Sequence, residues 1–323
     1  MTTALGTTGP NVFPIALGCM SMSGAYGPAD DTESVATIQE AIDRGVTLID
    51  TGDFYGNGHN ELLIRRALEG RRDKVQLSVK FGALRGPDGS FGGFDARPVA
   101  VKNFLNYSLQ RLGVSHIDVY RPARLDPNVP IEDTVGAIAE MVKAGYVRHI
   151  GLSEVGPATI RRAAKVHPLT DLQIEYAIIT RTPETTIFPT LAELGMSATL
   201  YGVLSRGLLT GAKSAGARAH YPRFAGEAGQ RNAAMVAKFH AFAAERGMSP
   251  AQLSVAWVLA KQPALVPTVG ARTRAQLADV LGALDKPLTA ADVAAVEAIL
   301  PAEAIAGARY PEAQMKMLDS ERR

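Results

Sequence analysis

The sequence predicts an α/β fold of eight strands alternating with helices, arranged by preference as a closed (β/α)8 barrel. Three observations predict it. Apolar runs of strand length alternate with segments of helical period, which argues for parallel strands joined by helices. No Gly-x-Gly-x-x-Gly follows the first strand, which counts against an open dinucleotide-binding sheet. The chain has 323 residues, where a barrel of this kind takes about 250 plus insertions. Periodicity alone puts the closed barrel only modestly ahead of the open doubly wound sheet.

The elements follow in order. An N-terminal β-hairpin is expected over 5–13, with Thr8-Gly9-Pro10-Asn11 at its turn. Strands are expected at 15–17, 47–49, 75–79, 117–120, 149–152, 172–174, 198–201 and 265–267. Asp31 or Thr32 reads as the N-cap of a helix over 35–44 that Gly45 stops. Pro98 opens a helix that runs through Leu112 and ends at Gly113. Ser249 caps another, from Pro250 to Lys261. Two long loops, 82–95 with five glycines and 211–232, follow the third and seventh strands. Long loops at carboxyl ends of barrel strands are where pockets are made. The segment after Leu300 has no core pattern and is expected to lie across a barrel mouth.

Composition excludes several classes of function. The hydrophobic fraction of 46% supports a large core. A net charge of +2 gives no sign of a nucleic-acid or membrane-surface partner. Cys19 is the single cysteine, so no intrachain disulfide or thiolate cluster forms, which suits a cytoplasmic setting. The start of the chain has no basic, apolar leader, and no apolar run is long enough to span a bilayer. No His/Cys/Asp/Glu grouping has metal-ligand spacing, and no Gly-x-Ser-x-Gly elbow suggests a hydrolase.

The chemistry is concentrated in Thr47-Leu48-Ile49-Asp50-Thr51-Gly52-Asp53-Phe54-Tyr55-Gly56 and in Lys80. Asp50 and Lys80 end successive strands, and Tyr55 lies one loop beyond Asp50. Side chains at successive strand ends converge at one mouth of a barrel. A phenol with a pKa near ~10 is a poor acid at neutral pH. A neighbouring ammonium stabilises its phenolate, and a carboxylate holds the ammonium in place.

This constellation resembles the catalytic signature of the aldo-keto reductase superfamily. The resemblance extends from Leu17-Gly18-Cys19-Met20 to Gly270-Ala271-Arg272. It implies a TIM barrel in a single domain over 1–323, with the hairpin plugging its bottom. It further implies NADPH-dependent interconversion of a small aldehyde or ketone and its alcohol. Tyr55 is then the proton donor, Lys80 lowers its pKa, and Asp50 orients Lys80.

The resemblance also implies a cofactor site. Ser153 and Gln173 match residues that hold the nicotinamide carboxamide, and Glu154 stands where Asn is common. Glu154 would take an N–H from the carboxamide. Tyr201 matches the aromatic ring that stacks on the nicotinamide, followed by Gly202, Leu204 and Arg206. Gly270, Arg272 and Gln276 match the adenosine side. There Arg272 or Arg274 would pair the 2′-phosphate, since guanidinium suits phosphate geometry. Arg223 is a further phosphate candidate.

One departure is large. Where the superfamily has a catalytic His after the fourth strand, this chain reads Tyr120-Arg121-Pro122-Ala123-Arg124-Leu125-Asp126, with Ala123 at the His position. The segment is similar to one in the pyridoxal reductase branch. Arg121 and Arg124 flank the gap and could replace the lost donor. An Arg124–Asp126 surface pair is the plainer reading. His59, His149 and His167 are poor substitutes. A catalytically weak nucleotide-binding regulatory or sensor protein is the alternative function. The intact Asp50, Tyr55 and Lys80 argue against it.

Overall fold

The computed structural model describes residues 2–212 and 218–322. Eight parallel strands close into a barrel: β3 (Ala16–Gly18), β4 (Leu48–Gly52), β5 (Gln76–Phe81), β8 (Ile117–Pro122), β9 (Val147–Ser153), β10 (Asp171–Glu175), β11 (Ser197–Tyr201) and β12 (Val266–Gly270). They pair in that order, and β12 returns to β3 to shut the cylinder. All eight expected strands are present. Seven of them run one to three residues further toward their carboxyl ends than the sequence pattern indicated. Asp50, Lys80 and Ser153 are therefore members of strands, not residues that follow them, as Gln173 was already expected to be.

Helices α1 (Asp31–Asp43), α2 (His59–Ala67), α3 (Pro98–Leu112), α4 (Ile131–Lys143), α5 (Pro157–Ala164) and α6 (Pro183–Glu193) cross from one strand to the next. α7 (Gly226–Glu245) and α8 (Pro250–Lys261) share the seventh connection, and α9 (Arg274–Leu281) and α10 (Ala290–Ile299) follow the last strand. The N-cap of α1 is Asp30, whose carboxylate accepts from the Glu33 N–H at 2.7 Å, so the cap lies one residue before the expected pair. Ser249 and Gln252 form a reciprocal capping box on α8. Gly113, with φ 67°, ends α3 in the left-handed region that glycine enters without penalty.

β1 (Thr3–Ala4) and β2 (Asn11–Val12) form the early hairpin, in which Asn11, expected at the turn, pairs with Ala4. Leu5 and Val12 pack with Ala16, Leu48 and Val266, at the amino ends of three barrel strands. That apolar plug closes one mouth and leaves the other for chemistry. The glycine-rich 82–95 loop is itself a hairpin, β6 (Ala83–Arg85) against β7 (Phe91–Phe94). The 211–232 loop is shorter than expected, because α7 begins at Gly226. Residues 213–217 of it lie outside the described set. The 301–322 segment, including α11 (Glu312–Met315), crosses the carboxyl-end mouth, where Tyr310, Gln314, Met317 and Leu318 wall the pocket. No helix among the described residues is long and apolar enough to cross a membrane.

Candidate active site

A cavity of about 410 Å³ opens at the carboxyl-end mouth. Asp50, Tyr55, Lys80, Ala123, Arg124, Gln173, Tyr201, Gly202, Leu204, Arg206 and Gly270 line it. Ser153 is buried just behind, its hydroxyl 3.4 Å from Arg124 Nη1. Arg272 and Gln276 lie beyond the wall, where α9 begins.

The barrel register brings the polar side chains together. Asp50 is opposite Ser78, and Lys80 is opposite Arg121. Lys80 Nζ donates to Asp50 Oδ1 at 2.5 Å, with both side chains buried. Asp50 Oδ2 accepts from Ser78 Oγ and Gln173 Nε2, each at 2.8 Å. Arg121 Nη2 donates to Ser78 Oγ at 3.0 Å, and Arg121 Nη1 to Asp171 Oδ2 at 2.9 Å. Thr199 Oγ1 donates to the same Asp171 oxygen at 2.7 Å and lies 3.4 Å from Gln173 Nε2. A closed polar ring thus crosses the barrel interior beneath the pocket. Gly151 makes room for it, since a Cβ there would stand 2.8 Å from Asp171 Oδ1.

Arg121 is consequently no stand-in for the missing His. It is wholly buried and belongs to the ring below the pocket. Arg124 is different. Its side chain faces the cavity beside Ala123, donating to the Ala123 carbonyl and, more distantly, to Ser153. It does not pair with Asp126, whose carboxylate instead accepts from the Ala96 and Asn128 N–H groups.

Burial first, and the Asp50 charge second, hold the Tyr55 phenol well above its ordinary pKa, while Arg124 pulls it down. The resting phenol is harder to ionise than a free one, contrary to the depressed value that the sequence reading assigned to it through Lys80. Lys80 Nζ lies 5.2 Å from the Tyr55 ring centroid. Its own pKa is lowered by burial, against the pull of Asp50.

Glu154 is not among the residues that line the cavity. One oxygen accepts from Tyr201 Oη at 2.6 Å, Arg309 Nη1 at 2.9 Å and the Glu175 N–H at 3.0 Å. The other accepts from Arg309 Nη2 and Ser320 Oγ, each at 2.6 Å. Both oxygens are filled, so Glu154 has no free acceptor to offer a ligand in the cavity. Arg309, buried in the 301–322 segment, is the site residue that sequence reading missed. The signal for it was indirect: an acid ending a buried strand requires a cation, and the coreless tail carries one.

Arg206 Nη2 donates to Glu175 Oε2 at 2.7 Å, and its guanidinium stacks on Tyr310 at 4.2 Å and Tyr221 at 4.8 Å. Glu154, Ser205 and Arg206 all have φ between 48° and 57°, strained backbone for residues with a Cβ and concentrated at this mouth. Arg223 donates to Thr180 Oγ1 at 2.7 Å and lies 3.9 Å from Glu175, so it braces the loop. His59 opens α2 and contacts Ser23 and Asp31, and His149 in β9 and His167 are both half-buried. No group of metal-ligating side chains occurs among the described residues.

The buried hydroxyls of Ser21, Ser205 and Thr268 have no hydrogen-bond partner among the described residues, and Ser21 and Thr268 line the cavity. Together with Ser153 and Gln173 they form a polar cradle suited to an extended, hydrogen-bonding cofactor. At the start of α9, Arg274 is taken up by Glu33 in a two-pronged pair. Arg272 makes no ion pair among the described residues and donates only to the Gly27 and Pro28 carbonyls. Gln276 Oε1 accepts from the Arg272 N–H at 2.9 Å.

Comparison with known proteins agrees with this geometry. Residues 14–301 match the model of the aldo/keto reductase family. The chain is 38% identical to a probable aldo-keto reductase 1 of Glycine max over 317 residues, 95% of this chain and 90% of that protein. Among solved structures it superposes on a glycerol dehydrogenase from Gluconobacter oxydans with a TM-score of 0.83 and 28% identity, covering 93% of this chain and 94% of the other. It also superposes on an aldo-keto reductase from Bacillus halodurans in its holo form, with a TM-score of 0.77 and 26% identity, covering 93% and 96%. The chain belongs to the aldo/keto reductase family of oxidoreductases, which act on small molecules and generally use nicotinamide cofactors.

Proposed function

We propose that the protein is an NADPH-dependent carbonyl reductase in which Tyr55 gives the proton. The observation that carries this reading is the buried Lys80–Asp50 pair beside a protonated phenol on the pocket floor. Bound NADPH would supply the hydride and be oxidised in the process. Ser153 and Gln173 would hold its carboxamide, Tyr201 would stack on its ring, and Gly202, Leu204, Arg206 and Gly270 would line its path. Arg272 would meet the 2′-phosphate.

Burial keeps Tyr55 protonated throughout the neutral range, so its proton is always available. The carbonyl carbon gains the hydride, negative charge builds on the oxygen, and the Tyr55 O–H bond breaks in favour of that oxygen. The phenolate left behind is stabilised by Lys80, which Asp50 holds in place, and by Arg124. Cations aimed at charge that develops during a reaction are worth more in a dry site than in water. Arg124 also supplies a donor beside Ala123, the position to which the family resemblance assigns a His.

Positioned general acids contribute typically about 10²–10⁴-fold. Tyr55→Phe should lower kcat on the best of a panel of aldehydes and ketones by that order and hardly change NADPH affinity. Wild-type turnover in that variant would remove the mechanism. Tight NADPH binding with negligible turnover across the panel would instead favour a nucleotide-binding sensor.

A further inference from the structure

Four cations but one carboxylate are among the cavity's lining residues: Lys80, Arg85, Arg124 and Arg206 against Asp50. Most of these charges are answered. Lys80 is paired with Asp50, and Arg206 with Glu175. Arg85, on the exposed β6–β7 hairpin, lies over the Phe91 ring with its charge toward solvent. Arg124 is the exception. It forms no ion pair among the described residues, and its hydrogen bonds go to one carbonyl and one hydroxyl. The nearby carboxylate of Glu154 has both oxygens filled by Arg309, Tyr201 and Ser320.

A guanidinium carries five N–H donors and keeps its charge at any working pH. Leaving such a group against a partly buried wall without a counter-charge is costly, unless an anion arrives to meet it. Its location narrows what that anion is. Arg124 reaches the Ser153 hydroxyl and lines the same cavity as Tyr55, whose ionisation it favours. The reacting carbonyl must occupy that cavity if Tyr55 is to protonate it. Ala123 leaves the neighbouring volume open. The outer wall is apolar and aromatic, with Phe54, Phe91 and Phe94.

We infer that the carbonyl substrate is anionic, with a carboxylate within a bond or two of the reacting carbon, and that Arg124 holds that carboxylate. This rests on the carbonyl-reductase reading and adds the substrate class to it. The simplest members are 2-oxo acids bearing an apolar or aromatic side chain, reduced to 2-hydroxy acids. In that reaction the keto carbon takes the hydride from NADPH, its oxygen takes the Tyr55 proton, and the carboxylate is unchanged. The guanidinium grips the carboxylate through two parallel hydrogen bonds, which fixes the keto group against Tyr55.

The test compares phenylglyoxylate with its methyl ester, using the full chain and NADPH. The ester is the more electrophilic ketone, so a preference for the acid has to come from the protein. The acid should show the higher kcat/KM by about tenfold or more, the scale of a charge-assisted hydrogen bond. Arg124→Gln should abolish the preference chiefly through KM for the acid, and Arg124→Lys should restore part of it. Equal treatment of acid and ester by the wild type, or equal loss for both in Arg124→Gln, would overturn the inference, because Arg124 would then serve the carbonyl alone. Binding of both compounds to the NADPH complex, followed by nicotinamide fluorescence, decides the point even without turnover. Tighter, Arg124-dependent binding of the acid with no reduction of either compound would preserve the anion site and remove the reductase reading. Absence of that difference would remove the anion site.

Discussion

Arg309 meets Glu154 through two hydrogen bonds, 2.9 and 2.6 Å long, across 155 positions of sequence. Glu154 ends the fifth barrel strand's excursion into the mouth, and Arg309 belongs to the segment that covers it. Both are buried. Tyr201 joins the same carboxylate and also contacts Tyr310 Oη at 3.0 Å. The ring proposed to stack on the nicotinamide and the cover over the pocket therefore share one anchor.

Breaking such a buried pair from one side costs about 3–5 kcal/mol, because the remaining charge is left without a partner. Arg309→Met should lower the melting temperature markedly and weaken NADPH binding as well. Glu154→Gln in the Arg309→Met background should recover part of the loss. A single variant that melts with the wild type would show that the pair anchors nothing.

Two buried carboxyls give opposite pH signs. Burial raises Glu154, but Arg309 and its neighbours bring it down to about 2. Its stabilisation is present above the unfolded value near 4.5 and is lost as pH falls toward 2. Burial, with Glu61 next, pushes Asp53 up from 3.8 to about 7. Its contribution is full below 3.8 and is lost as pH rises through 7. Asp53→Asn should flatten the decline in stability between pH 4 and 7, as read by urea unfolding at fixed temperature. An unchanged slope would assign the decline to other groups.

Cofactor choice is tested at Arg272. Arg274 is already held by Glu33, so the 2′-phosphate should depend on Arg272. Arg272→Ala should weaken NADPH about tenfold or more and leave NADH nearly unchanged, as read by fluorescence titration. Equal affinities in the wild type would contradict this.

The gap at Ala123 has its own test. If the site is an ordinary carbonyl-reductase site lacking one donor, Ala123→His should raise kcat on small neutral aldehydes about tenfold or more. Bulky or anionic substrates should be rejected in the same variant, because the ring takes the space beside Arg124. Loss of activity on every substrate would mean that the volume itself is required.

The barrel was legible because alternation of strand and helix periods is a backbone property that tertiary context did not override. Asp50, Tyr55 and Lys80 were legible because barrel topology gathers residues at strand ends. What escaped the sequence depended on long-range pairing. Arg121 looks like Arg124 in the chain, yet Arg121 lies within β8 and turns into the interior ring, whereas Arg124 lies two residues past the end of that strand and reaches the pocket. Glu154 looked available until Arg309 filled it. The 82–95 hairpin was hidden by its glycines, which read as an irregular loop while Phe91 and Phe94 pack edge to face. The polar ring escaped because Ser78, Thr199 and Asp171 are individually ordinary.

The mouth is built from two sources. Residues in and just after the strands, Asp50, Tyr55 and Lys80 among them, line its floor, and the 301–322 segment contributes Tyr310, Gln314, Met317 and Leu318 to the wall. Apart from Leu318, those wall residues are not among the buried core. Selection can therefore revise what the pocket admits by editing a short strap, while the cylinder beneath it continues to fold and to carry Tyr55, the proposed proton donor. The Arg309 anchor sets the limit of that freedom, since a strap that loses its bolt also loosens Tyr201.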